Sequence, residues 1–303
     1  MSKFSSIDRD PLYVVAPSNI SETKKKIGHI LVWGSFFLMF LIGLVQALYV
    51  SDKISFVQGD GMSPLLGLEP FDIICSNPPY IPEDEITSLD SIYTHDPIFM
   101  TPNGAVIGNM GKTQRKPETI MMKNYLNEIG VPILGEIIND ATLEGGDVIW
   151  IDEKTVAAGL TYRTNIKGID QLRKILSTIS IEVISVDLPH WNGPVDVLHL
   201  MSLISPLNEN LFLIYKKLLP ISLLKLLKKL DIKTISIADE DYDSLGCNVL
   251  PLSTTKCLIT SGNNKTCKII EENGIEVIVF QASEICYKGS GGPTCLTRPI
   301  YRK

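Results

Sequence analysis

The stretches TVAAGLT at 155–161, GIDQLRKILSTI at 168–179 and EVISV at 182–186 decide the fold. The outer two are short apolar runs rich in β-branched residues, the pattern of buried strands. The middle one sets Leu172, Ile175, Leu176 and Ile179 at helical spacing, so one face of a helix is apolar. GGDVIWID at 145–152 supplies another apolar strand just upstream, which makes the unit strand, strand, helix, strand.

The same unit recurs on both sides. GAVIGNM, TIMMKNYLNEIG and VPIL precede it; LFLIY, ISLLKLLKKL and KTISI follow, and then KCLITSG, TCKIIEENG and EVIVF. The repeats start near Ala105, Val156, Leu211 and Cys257, at intervals of 51, 55 and 46 residues. Each is preceded by its own apolar strand: SIYTHDPIFMT, GGDVIWID, VLHLMSLISP and GCNVLPLS. No glycine-rich phosphate turn follows any strand, which argues against a dinucleotide-binding sheet. Modules stacked radially, as in a propeller, suit the repeat better.

Composition narrows the function. With 303 residues, 45% hydrophobic and 20% charged, the chain is long and apolar enough for one large core or two medium ones, and disorder is excluded. A net charge of −6 with no basic stripe argues against nucleic acid as a partner. None of the six cysteines falls in a CxxC pair, so a zinc ribbon or thioredoxin-type motif is not expected, and most read as buried thiols.

Residues 1–90 lack the repeat. A tail, 1–29, leads into Ile30–Val50, which is free of charge and long enough to cross a bilayer, so a transmembrane helix is expected. Lys3, Arg9, Lys24, Lys25 and Lys26 precede it and Lys53 follows, which by charge bias places the amino terminus in the cytoplasm. Residues 51–90 read as a mosaic linker. SFVQGDGMSPLL at 55–66 resembles the catalytic segment of type I signal peptidases, with Gly61 where that family has its serine. FDIICSNPPYIPEDEI at 71–86 resembles the NPPY loop of release-factor glutamine methyltransferases, which implies target-nitrogen binding by Asn77 and Pro78, but no cofactor-binding turn precedes it.

Unusual polar residues sit by the first strand of each module. Asp96 lies in THDP, Glu144 and Asp147 in LEGGDV, His199 in LHLMSLISP, and Cys295 in GGPTCLTRP with Lys288 and Arg298 nearby. Each alone has a plain structural reading: turn acids capping backbone amides, a satisfied core histidine, a thiol beside a glycine turn. Taken in order with GLTYRTN and LGCNVL, these segments resemble the guanidino-group-modifying enzymes, the pentein superfamily of arginine deiminases, amidinotransferases and dimethylarginine dimethylaminohydrolases, over 91–303.

That resemblance implies an α/β-propeller of strand–strand–helix–strand modules about a pseudo-fivefold axis, with the first module missing or replaced. Leu12–Ser18 is a candidate strand for it. It implies Cys295 as nucleophile, His199 as acid–base, Glu144 as the carboxylate that orients the histidine and binds guanidinium nitrogens, Asp96 as the acid on the guanidinium's other edge, and Asp147 as a further substrate-binding residue. Arg163 would meet a substrate carboxylate. No metal or organic cofactor is implied. The expected partners are a small guanidino compound and a second copy of the chain, and the family places the protein in the cytoplasm, with the apolar run as an added anchor.

The implied reaction is hydrolysis of a linear amidine through a Cys-thiouronium. Amidino transfer, or a tethered protein without activity, is the alternative. Where arginine deiminases read His-x-Asp, this chain has Met201, which favours an N-methylated arginine if its side chain shares a strand face with His199.

Overall fold

The computed structural model describes residues 92–281 and 286–302, together with four short strands nearer the amino terminus. Those four are β1 (Tyr13–Ala16), β2 (Gly28–His29), β3 (Ile54–Ser55) and β4 (Ile73–Ser76). The apolar run 30–50 and Asn77 and Pro78 lie outside the described residues, as does all of 55–66 except Ser55. Among the described residues no helix is long and apolar enough to cross a membrane.

Four modules follow in turn. The first comprises β5 (Ile98–Thr101), β6 (Gly104–Ile107), α1 (Lys116–Glu128) and β7 (Ile133–Glu136). The second comprises β8 (Val148–Asp152), β9 (Thr155–Leu160), α2 (Ile166–Ser177) and β10 (Glu182–Asp187). The third has β11 (Ile204–Asn208), β12 (Leu211–Ile214), α3 (Ile221–Lys229) and β13 (Lys233–Ser236). The fourth has β14 (Leu250–Ser253), β15 (Lys256–Thr260), α4 (Asn264–Glu272) and β16 (Glu276–Phe280), and β17 (Pro299–Arg302) ends the chain.

Every module has one sheet plan. The first strand pairs antiparallel with the second, and the helix carries the chain back to a third strand parallel to the second. A parallel return needs a crossover of this length, and the helix supplies it. The middle strands have almost no exposed face: GAVI in β6 and LFLI in β12 are buried throughout. Helix α2 starts where Asn165 accepts a hydrogen bond from the Gly168 N–H, and it turns Ile169, Leu172 and Leu176 inward. These three pack with Val156, Ala158 and Val183 of the flanking strands.

A fifth sheet stands apart in construction. In it β17 pairs antiparallel with β4, and β4 antiparallel with β1, so no parallel return is present. Its edge strand β17 comes from the carboxyl terminus, and β4 and β1 come from the first eighty residues.

The loops that enter the inner strands touch one another in a closed ring. Gly145 N–H donates to Asp96 O at 2.7 Å, and Leu200 N–H to Asp147 Oδ1 at 3.0 Å. Ser205 Oγ donates to Cys247 O at 2.6 Å, Thr294 N–H to Asn248 Oδ1 at 3.0 Å, and His95 N–H to Cys295 O at 3.2 Å. Each module thus presents the start of its first strand to a common centre.

One expected strand is shorter than its sequence pattern. His199 and Met201 do not share a strand face, because Leu200–Ser202 is a 3-10 turn and β11 begins only at Ile204. The Leu200 N–H is turned to Asp147 instead of to a neighbouring strand. Met201 packs against the apolar cluster around Leu203, Ile204 and Leu213.

Candidate functional site

At the centre of the ring lie Asp96, Glu144, His199, Asn248 and Cys295, one from the entry to each inner strand. Asp96, Glu144 and His199 are almost wholly buried, whereas Cys295 is partly exposed. The glycines of LEGGDV make this convergence possible: a Cβ on Gly146 would lie 2.5 Å from His199 Nδ1 and 2.9 Å from Asp96 Oδ1.

The imidazole of His199 sits between two carboxylates. Its Nε2 is 2.8 Å from Glu144 Oε2, and its Nδ1 is 3.8 Å from Asp96 Oδ1. Burial opposes its charge, but Asp96, Asp147 and Glu144 outweigh burial and raise its pKa, so imidazolium is the resting form. Burial likewise works against the Glu144 carboxylate; the hydrogen bond and charge of His199, then Arg163 and Arg115, hold its pKa low. The Gly111 N–H donates to Glu144 Oε1 at 3.0 Å, and Arg163 Nη1 lies 3.3 Å from the same oxygen.

Asp96 is anchored from behind by Arg115, a residue that sequence reasoning passed over. Arg115 Nη1 donates to Asp96 Oδ2 at 2.6 Å, and its Nε and Nη2 reach Glu118 at 2.9–3.1 Å. A further bond goes to Tyr93 O at 3.2 Å. All three charged groups are buried, with 4% of Asp96 exposed and 1% of Glu118. Asp96 is left with Oδ1 toward the centre.

Asp147 has a different setting from Asp96. It is fully buried, accepting from Leu200 N–H at 3.0 Å and from Thr161 Oγ1 at 2.8 Å. Burial pushes its carboxyl up to about 6, against the pull of His199 and two threonine hydroxyls. It therefore shapes the turn that carries His199. His95, next to Asp96, bonds through Nδ1 to Thr297 O at 2.9 Å, and burial with the Arg298 charge lowers its pKa to about 3.

Burial raises the thiol of Cys295 to about 11, and Asp96 adds to the rise; Asn248, the Gly292 backbone and Arg115 pull the other way. Arg298, three residues on, donates to the His95 carbonyl, and Lys288 lies exposed on the short helical stretch before the glycines. Cys247, Cys257, Cys267 and Cys286 are buried thiols whose pKa values burial also raises.

Beside the centre is a pocket of about 270 Å³ at the carboxyl ends of β9 and β10. Arg163 lines it together with Tyr162, Asp187, His190, Asp196 and Leu198. Ligand atoms of Asp96, Glu144 and His199 lie within 4.8 Å of one another, a spacing open to a cation. A metal would need neutral imidazole as a donor. The ionised pair suits an organic cation with in-plane N–H donors better.

A family model described as arginine deiminase matches residues 88–231 and 222–302. An uncharacterised protein of Bacillus subtilis, YkgA, is 27% identical over 214 residues, 70% of each chain. The arginine deiminase of Lactococcus lactis is 24% identical over 257 residues, covering 71% of this chain and 62% of the enzyme's length. Among solved structures, a mutant dimethylarginine dimethylaminohydrolase of Pseudomonas aeruginosa in complex with citrulline superposes with a TM-score of 0.58. That pair is 24% identical over 69% of this chain and 76% of the other.

Proposed function

Because the chain belongs to the arginine deiminase family, within the pentein superfamily, we propose that it hydrolyses a C–N bond of arginine or an N-methylated arginine through a thiouronium on Cys295. The observation that carries this reading is a partly exposed thiol that feels the charge of Asp96, the same carboxylate that with Glu144 flanks the buried imidazolium of His199.

A guanidinium is planar, cationic and resonance-stabilised. Asp96 Oδ1 and Glu144 grip its N–H groups in the plane, and sulfur approaches the carbon from the face. The resting thiol is protonated, since burial and the Asp96 charge outweigh Asn248, the Gly292 backbone and Arg115. Substrate supplies the missing positive charge, and as the cation arrives the partly exposed thiol gives its proton to solvent, His199 being already protonated. The new C–S bond gives a tetrahedral adduct. His199 protonates the departing amine, which the raised basicity of its ring allows at neutral pH. The neutral imidazole then takes one proton from water as the oxygen bonds to carbon, the second goes to solvent, and C–S cleavage releases a neutral ureido product.

Arg163 and the carboxylates Asp187 and Asp196 give the adjoining pocket both signs of charge. That lining suits the zwitterionic end of an amino acid, which supports an arginine-type substrate over a simple guanidine. The test is a panel of arginine, its methylated forms and simple guanidines on the full chain. Ammonia, methylamine or dimethylamine released with a matching ureido product is expected; an amidino group passed to an added amine, or no turnover of any member, would overturn the reading.

A further inference from the structure

Four of the five central residues carry the reaction proposed above; the fifth, Asn248, is the one whose side chain touches the nucleophile. Its Nδ2–H donates to Cys295 Sγ at 3.1 Å. The amide cannot flip, because Oδ1 accepts from the Thr294 N–H at 3.0 Å, and a carboxamide with its oxygen on a donor must aim its NH2 the other way. A Cβ on Gly292 would come within 2.4 Å of Oδ1, so the glycine preceding Pro293 leaves room for the amide. The backbone on either side is pinned as well: Ser205 Oγ donates to Cys247 O at 2.6 Å and accepts from the Val249 N–H at 3.3 Å. Asn248 is 7% exposed, so water competes little for the bond.

We propose that Asn248 is a catalytic residue that holds the Cys295 thiolate, and that its effect falls chiefly on the step that regenerates it. The inference rests on the thiouronium reading. An N–H···S bond is strong to an anionic sulfur and weak to a thioether. Sulfur is anionic twice in the cycle. Before attack, the substrate cation lies beside it and shares in its stabilisation. In the second half the amine has left, and the carbon that sulfur must leave is becoming a neutral urea. Water oxygen bonds to that carbon and gives one proton to His199; the second is lost to solvent as the C–S bond breaks, the urea becomes neutral and the electron pair returns to sulfur. No substrate cation remains at that moment, so the chain's own donor counts for more.

Removing the donor should therefore slow breakdown of the adduct more than its formation. Two readouts on the full-length protein test this: intact mass of enzyme quenched during turnover of a substrate from the panel, and the pH dependence of Cys295 alkylation by iodoacetamide without substrate. Asn248→Leu keeps the volume and removes the donor. The adduct-bearing fraction should rise several-fold over the parent protein, and the alkylation midpoint should move up by about one pH unit or more. Asn248→Asp retains the acceptor for Thr294 but turns an oxygen to the sulfur, so its alkylation midpoint should rise further; it decides the matter if the leucine variant does not fold. An unchanged midpoint in a folded variant, or an adduct fraction no larger than the parent's, overturns the proposal. If the parent protein turns over no guanidino compound, the hydrolase reading fails instead, and alkylation still decides whether the amide holds the thiolate.

Discussion

The two sides of the site are built on opposite electrical plans. On one side, Asp96, Arg115, Glu118, Glu144 and His199 form a buried wall of formal charges, each already paired. On the other, Cys295 and Asn248 are neutral and joined by a single hydrogen bond. Charges taken out of water need partners in place before substrate arrives, whereas a thiol is stored more cheaply as its neutral acid. The wall is thus preorganised, and the nucleophile waits for the cation it attacks.

The neutral side breaks most completely. Cys295→Ser should lower turnover by about a thousandfold or more with the fold intact, because a serine hydroxyl does not ionise near neutral pH. Steady-state release of amine beside circular dichroism checks it. Activity within a few per cent of the parent's would move the nucleophile elsewhere.

On the charged side, Arg115→Gln should damage the fold as well as the activity. It strands Asp96 and Glu118 as buried anions, and losing one partner of such a network costs about 3–5 kcal/mol. Urea unfolding measures this. A loss under about 1 kcal/mol would mean that water reaches the carboxylates and that the wall is not dry.

Titrating the thiol sharpens the contrast. Its pKa is raised by burial, so it is protonated below about pH 11 and becomes thiolate only above it. Alkylation by iodoacetamide should climb through the alkaline range. Methylguanidinium, well below denaturing concentration, should lower the apparent midpoint by about one unit or more while shielding some of the thiol. A midpoint near neutrality without any cation would show that the chain ionises Cys295 by itself.

How much of this was legible depended on how local each cause is. The modules were plain, since helix and strand periods are written in neighbouring residues such as Leu172 and Leu176 or 155–160. Residues 199–203 misled for the same reason. HLMSL lies in an apolar run that reads as a strand, yet a bond from Leu200 to Asp147, far back in the chain, winds it into a 3-10 turn. Arg115 sits in GKTQRKPET, which reads as an ordinary exposed helix start. It is buried because Asp96 and Glu118 meet it there, and nothing in that stretch announces the first of these partners. Asn248 was visible only as part of LGCNVL; its contact with Cys295 spans 47 residues. Asp147 resembled Asp96 as a turn acid, and only the fold separates the one that supports the His199 turn from the one that faces the centre.

The smallest effect expected concerns Met201. As a strand neighbour of His199 it would have faced the guanidinium, and a methionine in place of the aspartate of a His-x-Asp pattern would have favoured an N-methylated substrate. The 3-10 turn removes that geometry, and the side chain packs with the apolar cluster of the third module instead. Met201→Leu is close to volume-conserving, so it should cost less than about 1.5 kcal/mol in unfolding free energy. The ratio of kcat/KM for methylated over unmethylated arginine should stay within about twofold, since a side chain turned to the core exerts no direct contact on the transition state. Met201→Asp should act through stability alone, because it buries part of a carboxylate among Leu203, Ile204 and Leu213. A tenfold change in the ratio in either folded variant would place Met201 at the substrate after all. It would also join the third module's core to the charged wall and blur the division between the two sides.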